Sequence, residues 1–318
     1  METPKSTNAQ RSAQPHEMAQ KVALGASRMR PMEDGTPDEA RALRNLKGNP
    51  FAPPACELAD ISDVHAKISS GGLRIRVYKP KALAPGLQPC LVFFHGGGYV
   101  LSNVEQYDTV TQQLAFHSGC VVCSVDYTLA PERKLTGIHA DGYEAYKWIV
   151  ENASSLGIDE QRIAVGGDSA GGNLAVAVVL ACKREGFAMP AYQLLIYPSV
   201  DLAMSFPSID EFAEGYFLTK TGMQWFRDHY LETPEQALDE ELKFLAKDLS
   251  GLPPAYVMTA GFDPLRDEGH AFAQRLEEFG VKVEHECYTD MIHGFISFAG
   301  GIPAGLESLQ SMGNKLKV

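Results

Sequence analysis

The 318-residue sequence has no apolar run near the roughly 18–20 residues that a membrane-spanning helix requires, so stable insertion into a bilayer is not expected. It is also short of positive charge: 28 Lys and Arg stand against 40 Asp and Glu, a formal net charge of −12. Such a surface repels phosphate backbones and anionic headgroups. No basic run interleaved with aromatics offsets it, which removes nucleic acid from the expected partners. Cysteine is sparse. The six (Cys56, Cys90, Cys120, Cys123, Cys182 and Cys287) are scattered, mostly within apolar runs where a thiol behaves as a small hydrophobe. Cys120 and Cys123 form a C-x-x-C, but in a strand-like run residues three apart point to opposite faces. No second such pair completes a zinc site, so no metal is expected. The first residues, to about Glu17, lack the apolar core of a secretory signal, which points to a soluble, intracellular protein.

At 45% hydrophobic residues, the composition is ample for a two-sided α/β core. Residues 1–16 are too polar to offset the entropy of ordering and are expected to be disordered. From Glu17 to Leu46 the apolar spacing is helical, broken by Pro31 and Pro37, which predicts two short helices. Val64, Ala66 and Ile68 alternate before a Ser-Ser-Gly-Gly turn, and Leu73, Ile75 and Val77 alternate after it, the pattern of a β-hairpin. Short apolar runs then recur at 90–94, 121–125, 163–165, 193–197, 255–259 and 281–288, with helical patterns at 109–117, 142–151, 172–184 and 267–279. Alternation of this kind predicts a mixed, mostly parallel sheet of about eight strands with helices on both faces. One interval, 201–252, has no strand pattern but holds Phe206, Phe212, Tyr216, Phe217, Trp225, Phe226 and Tyr230. It is read as a helical lid over the carboxyl ends of the strands, where open α/β sheets bind ligands. The expected organisation is an N-terminal tail with cap helices (1–50), the first part of a catalytic core (51–200), the lid insertion (201–252) and the rest of the core (253–318).

The strongest local signal is Gly167-Asp168-Ser169-Ala170-Gly171, which follows a short strand and opens a helix. That is the setting of a nucleophile elbow, a turn so tight that only glycine fits on either side of the exposed serine. The helix N-terminus there favours developing negative charge. A second signal, His95-Gly96-Gly97-Gly98-Tyr99, also follows a strand. Its glycines leave backbone N–H groups free to stabilise an oxyanion, a role assigned to Gly97, Gly98 and Ala170. No Lys-Ser/Thr follows, so a phosphate-binding loop does not fit, and His95 is read as a support for the loop. A serine nucleophile needs a base and the base an orienting acid, in the chain order Ser, Asp or Glu, His for this class. His270 falls in a helical pattern and His285 in a strand, whereas His293 follows the last strand on a loop. Asp263 directly follows the strand at 255–259; Asp267 reads as a helix N-cap or first-turn acid, and Asp290 is too near His293 in sequence. The candidate triad is therefore Ser169, Asp263 and His293.

HGGG, then Asp126-Tyr127-Thr128-Leu129-Ala130-Pro131-Glu132, then Gly-Asp-Ser-Ala-Gly-Gly, then Asp-Pro-Leu-Arg-Asp and His-Gly-Phe resemble the bacterial hormone-sensitive-lipase family of esterases, in its subgroup with a Gly-Asp-Ser-Ala-Gly motif. The resemblance runs from about Ile61 to the C-terminus. It implies the α/β-hydrolase fold with a helical cap, a cytoplasmic carboxylesterase acting on short-chain acyl esters, no metal or organic cofactor, and a homodimer. Its triad and oxyanion donors fall on the residues already selected. Thr128 stands where the family has arginine, and Lys134–Ala140 departs from its Pro-Phe-Pro-Ala continuation, which predicts an altered loop beside the site.

The substrate is expected to meet Tyr99, Phe212, Tyr216, Phe217, Trp225 and Phe295, the bulky lid residues and those next to the two site loops. Alternatives on the same site are an amide or lactone hydrolase. A non-catalytic small-molecule receptor on this scaffold would be expected to have lost a triad member, and none is lost here.

Overall fold

Alternating apolar residues in the first body segment produce β1 (Asp60–Ile68) and β2 (Gly71–Lys79), an antiparallel hairpin in which Val64 faces Ile75 and Ala66 faces Leu73. The continuous apolar runs become buried strands: β3 (Gln88–Phe94), β4 (Val121–Val125), β5 (Ile158–Asp168), β6 (Tyr192–Ile196), β7 (Ala255–Phe262) and β8 (Val283–Ile292). All eight lie in one sheet in the order β1-β2-β4-β3-β5-β6-β7-β8. From β4 to β8 every pairing is parallel, and β2 pairs antiparallel with β4, so the sheet is mixed as expected. The computed structural model describes residues 11–44, 49–81 and 86–317.

Helices are α1 (Glu17–Ser27), α2 (Pro37–Arg44), α3 (Asp108–Ser118), α4 (Leu135–Glu151), α5 (Ala153–Leu156), α6 (Ala170–Glu185), α7 (Ser208–Glu211), α8 (Lys220–Tyr230), α9 (Arg266–Glu278) and α10 (Pro303–Lys315). Because side chains on a strand alternate faces, Cys90, Val92 and Phe94 enter one core with residues of α4, α6 and α9. Leu91 and Phe93 enter the other, with α3 and α10. Cys120 and Cys123 accordingly lie in different cores, and Cys123 instead approaches Cys90, sulfur to sulfur 3.7 Å. Each fully buried Phe or Leu side chain contributes roughly 1.5–3 kcal/mol, and these two layers fix where the strand ends converge. Among the described residues no helix is long and apolar enough to cross a membrane, and no His, Cys, Asp or Glu cluster could hold a metal ion.

Two expectations are corrected, and one helix was not anticipated. Residues 134–140 are not a loop: α4 starts at Leu135, whose burial with Ile138 outweighs the poor helix propensity of Thr136 and Gly137. Asp267 is, of its two expected places, a first-turn acid of α9 and not the N-cap; it is buried, accepting from the Ser208 N–H and from Arg266 Nε. Disorder does not extend to residue 16, because the Ser12 and His16 N–H groups donate to Thr289 and Asp290 carbonyls at the exposed edge of β8; the remainder of that tail, 1–10, lies outside the described residues. The last helix, α10, has no counterpart among the helices read from the sequence.

The N-terminal elements meet the 201–252 segment. The turn Met32–Asp34 lies on α8, with Met32 against Gly222 and the Thr221 hydroxyl donating to Glu33 at 2.7 Å.

Candidate active site

β5 and β3 are neighbours, with Phe94 opposite Gly167, so the two glycine-rich turns that follow them emerge side by side. The first is as tight as the motif requires. A methyl group on Gly171 would stand 1.9 Å from the Phe94 carbonyl oxygen, and one on Gly167 2.4 Å from the same atom. Ser169 is left at φ 55°, a strained conformation for a residue with a side chain, at the start of α6. Asp263 directly follows β7 and His293 directly follows β8, which brings both to the same edge of the sheet.

There the three predicted residues meet. His293 Nε2 lies 2.9 Å from Ser169 Oγ, and His293 Nδ1 lies 2.7 Å from Asp263 Oδ2. Asp263 is fully buried and its other oxygen accepts the Leu265 N–H at 2.8 Å, so the carboxylate cannot swing away. The spacing fits an imidazole that donates from Nδ1 to Asp263 and accepts the serine proton at Nε2. Tyr197 packs on the His293 ring, centroid to centroid 4.7 Å.

Gly97 and Gly98 both have positive φ, and among the described residues neither N–H has a protein acceptor. Ala170 is the first residue of α6, so its N–H has no intrahelical acceptor. Gly96 differs: its N–H is taken by Asp168 Oδ1 at 2.7 Å. His95 does support the loop. It is buried, stacked on Tyr127 with centroids 4.4 Å apart, and its Nδ1 lies 2.7 Å from the Gly96 carbonyl oxygen. Burial pushes its pKa down, which keeps it uncharged at neutral pH.

The residues expected to meet substrate divide. Phe217 lies against Gly294, next to the candidate base. Tyr99 and Phe295 do not face an open space: Tyr99 is buried with its hydroxyl donating to Asn173 Oδ1 at 2.6 Å, and Phe295 is buried against Tyr197 and Tyr288. Phe212 is likewise buried, between Phe262, Tyr216 and the Arg266 guanidinium. Tyr216 stacks on Phe262, and Trp225 packs against Phe226 and His229. Bulk and spacing in the sequence carry no information on depth, and burial is what separates these residues.

Other side chains around the site were not singled out. Phe226 lies over Gly98, where a methyl group would stand 2.4 Å from its ring. Asn173, one turn after Ser169, accepts from Tyr99 and pairs with His139 Nε2 at 2.9 Å while its amide donates to the Ser199 carbonyl. Arg41, on α2, donates to the Val100 and Ala130 carbonyls and pairs with both oxygens of Glu132. Phe226 was at least visible as one aromatic of an aromatic-rich interval. Nothing in the sequence announced Arg41, whose partners lie 59 to 91 positions away.

A family model described as the alpha/beta hydrolase fold matches residues 91–297. An ethyl acetate hydrolase of Pseudomonas putida is 36% identical over 289 residues, covering 89% of this chain and 91% of that protein. The carboxylesterase NlhH of Mycobacterium tuberculosis is 35% identical over 279 residues, covering 86% of each. Among solved structures, an ester hydrolase from the metagenome of Lake Arreo, in complex with a bipyridine phosphonate derivative, superposes with a TM-score of 0.91 at 37% identity, covering 96% of this chain and 98% of that one. The hyperthermophilic esterase of Pyrobaculum calidifontis gives 0.89 at 35% identity, with coverage of 96% and 98%. The chain belongs to the α/β-hydrolase-fold family, in its hormone-sensitive-lipase-like branch of carboxylic ester hydrolases.

Proposed function

We propose that Ser169, His293 and Asp263 hydrolyse short-chain acyl esters through a covalent acyl-enzyme. His293 removes the hydroxyl proton as Ser169 attacks the ester carbonyl, and Asp263 holds the imidazole tautomer and stabilises the imidazolium. The N–H groups of Gly97, Gly98 and Ala170 stabilise the tetrahedral oxyanion. His293 then protonates the leaving alcohol, and water attacks the acyl-enzyme by the same route. The observation that carries this reading is the relay of 2.9 Å and 2.7 Å contacts ending on a serine at φ 55°. A receptor has no need of such a relay. Amide or lactone hydrolysis would use the same groups, but the relatives named for a reaction are ester hydrolases.

On this reading the 201–252 segment, with the N-terminal helices, is a lid. Phe226 against Gly98 and Phe217 against Gly294 support it, since they put apolar bulk beside both site loops. The pocket so formed favours acyl chains from acetate to hexanoate. The location is cytoplasmic and the assembly a homodimer, as the family resemblance implies. Ser169→Ala is the direct test: turnover of p-nitrophenyl butyrate should fall at least ~10⁴-fold with the fold intact. A phosphonate should label the wild type at Ser169 and leave the variant unlabelled. Labelling that survives in the alanine variant would move the nucleophile elsewhere.

A further inference from the structure

We propose that Asp168 is the positioning residue of the oxyanion loop, pinning Gly96 to the nucleophile turn; this rests on the esterase reading above. The pairing of Phe94 with Gly167 brings the residues after β3 and β5 together at the strand ends. Asp168 then reaches across. Its Oδ1 accepts the Gly96 N–H at 2.7 Å, and its Oδ2 accepts the Tyr107 hydroxyl at 2.8 Å, with the Tyr197 hydroxyl at 3.5 Å. A methyl group on Gly96 would stand 2.5 Å from Oδ2, so the carboxylate lies directly against Gly96. With the Gly96 donor occupied, the next two N–H groups, at Gly97 and Gly98, are the ones left without a protein acceptor. Asp168 thus fixes which donors of the loop remain for an oxyanion.

The same carboxylate has an electrostatic neighbour. Asp168 is buried, and burial pulls its pKa up to about 6 despite the bonds from Tyr107 and Gly96 and the influence of His293, which lower it. Tyr107 faces it from the turn before α3, Tyr127 from beyond β4, and Tyr197 from the end of β6. All three phenols are held neutral by burial.

The test compares Asp168→Ala and Asp168→Asn with the wild type on p-nitrophenyl butyrate, with folding checked by thermal melts. Asparagine keeps an acceptor for the Gly96 N–H and puts an amide donor where Oδ2 now accepts the Tyr107 hydroxyl, which can turn to accept instead. For Asp168→Ala we expect kcat to fall about 10²-fold, the scale of one misplaced oxyanion donor, with KM within threefold. Asp168→Asn should return to within about tenfold of wild type. A folded alanine variant with kcat within threefold of wild type would overturn the proposal. So would an asparagine variant no better than alanine. If Asp168→Ala does not fold, Asp168→Ser takes its place, with the same kcat and KM outcomes expected and the same ones refuting. A wild-type protein that turns over no ester and takes no phosphonate at Ser169 would instead refute the esterase reading itself.

Discussion

His139 makes acid sensitivity measurable at a single residue. Its Nε2 lies 2.9 Å from Asn173 Oδ1, and burial lowers its pKa from the usual 6.5 to about 4. A histidine with a depressed folded-state pKa contributes stability that is fully present above the unfolded value, and loses it as pH falls towards the folded one. The window is therefore pH 6.5 down to about 4. A shift of that size amounts to about 2–3 kcal/mol lost between pH 7.5 and pH 4.5. His139→Gln replaces the ring donor with an amide that can reach the same Asn173 oxygen and does not titrate. Denaturant unfolding of both proteins at the two pH values gives a double difference in which other titrating groups cancel, including Asp168, Glu268 and His285. The glutamine variant should lose about 2–3 kcal/mol less than wild type on going to pH 4.5. Equal losses in the two proteins would show that His139 does not hold a neutral ring in the folded state.

Asp263→Asn should cost about 10⁴-fold in kcat by releasing the imidazole tautomer. Asp267→Asn should cost instead about 2–4 kcal/mol of stability, because it leaves the fully buried Arg266 charge less compensated; kinetics and urea melts with the reverse ranking would overturn the acid assignment. Gly171→Ala should destabilise by at least about 3 kcal/mol or fail to fold, since its methyl meets backbone rather than a yielding side chain. Specificity across even-numbered p-nitrophenyl esters should peak near butyrate and fall by decanoate, each methylene gaining about 0.8 kcal/mol until the pocket is full. Phe226→Ala should shift that peak to longer chains, whereas a wild-type profile rising through dodecanoate would rule out a closed pocket.

What the sequence made legible is what local physics dictates. The run at 121–125 is β4 residue for residue, because a strand buried on both faces must be apolar throughout. The glycines around Ser169 could be read as steric requirements, and the clashes at Gly167 and Gly171 are of that kind. The order Ser, Asp, His placed each triad candidate at a strand end, and the sheet brings those ends together. Features set by distant partners were not legible. Asp267 is the first-turn acid its place in the sequence suggests, but nothing there shows its burial or its bonds to Ser208 and Arg266. Gly305 and Gly313 weaken the helical pattern of α10, yet Gly313 is where that helix packs on His117 of α3, with space for no side chain. The depth of Phe212, Tyr99 and Phe295 depends on which layers close over them, and no spacing rule carries that information.

The contacts around Tyr99 and Ser169 bear on how substrate range and chemistry can be separated in this fold. Both residues have positive φ, which persists only where the surroundings over-determine it. Around Tyr99 those surroundings are polar and directional: the Ala130 N–H donates to the Tyr99 carbonyl, its own hydroxyl donates to Asn173, and Arg41 donates to the adjoining Val100 carbonyl. Hydrogen bonds of this kind fix atoms to a few tenths of an ångström, as a set of oxyanion donors requires. The 201–252 segment meets the same loop differently, through the rings of Phe226 on Gly98 and Tyr230 on Tyr99. Apolar contacts are not directional, and volume-conserving changes among them cost little. Substitutions in α8 should therefore alter the ring contacts on Gly98 and Tyr99 while the hydrogen bonds that hold the loop stay in place. Changes at Asp168, Asn173 or Arg41 act on the donors themselves, and should lower kcat for every ester alike rather than select among them.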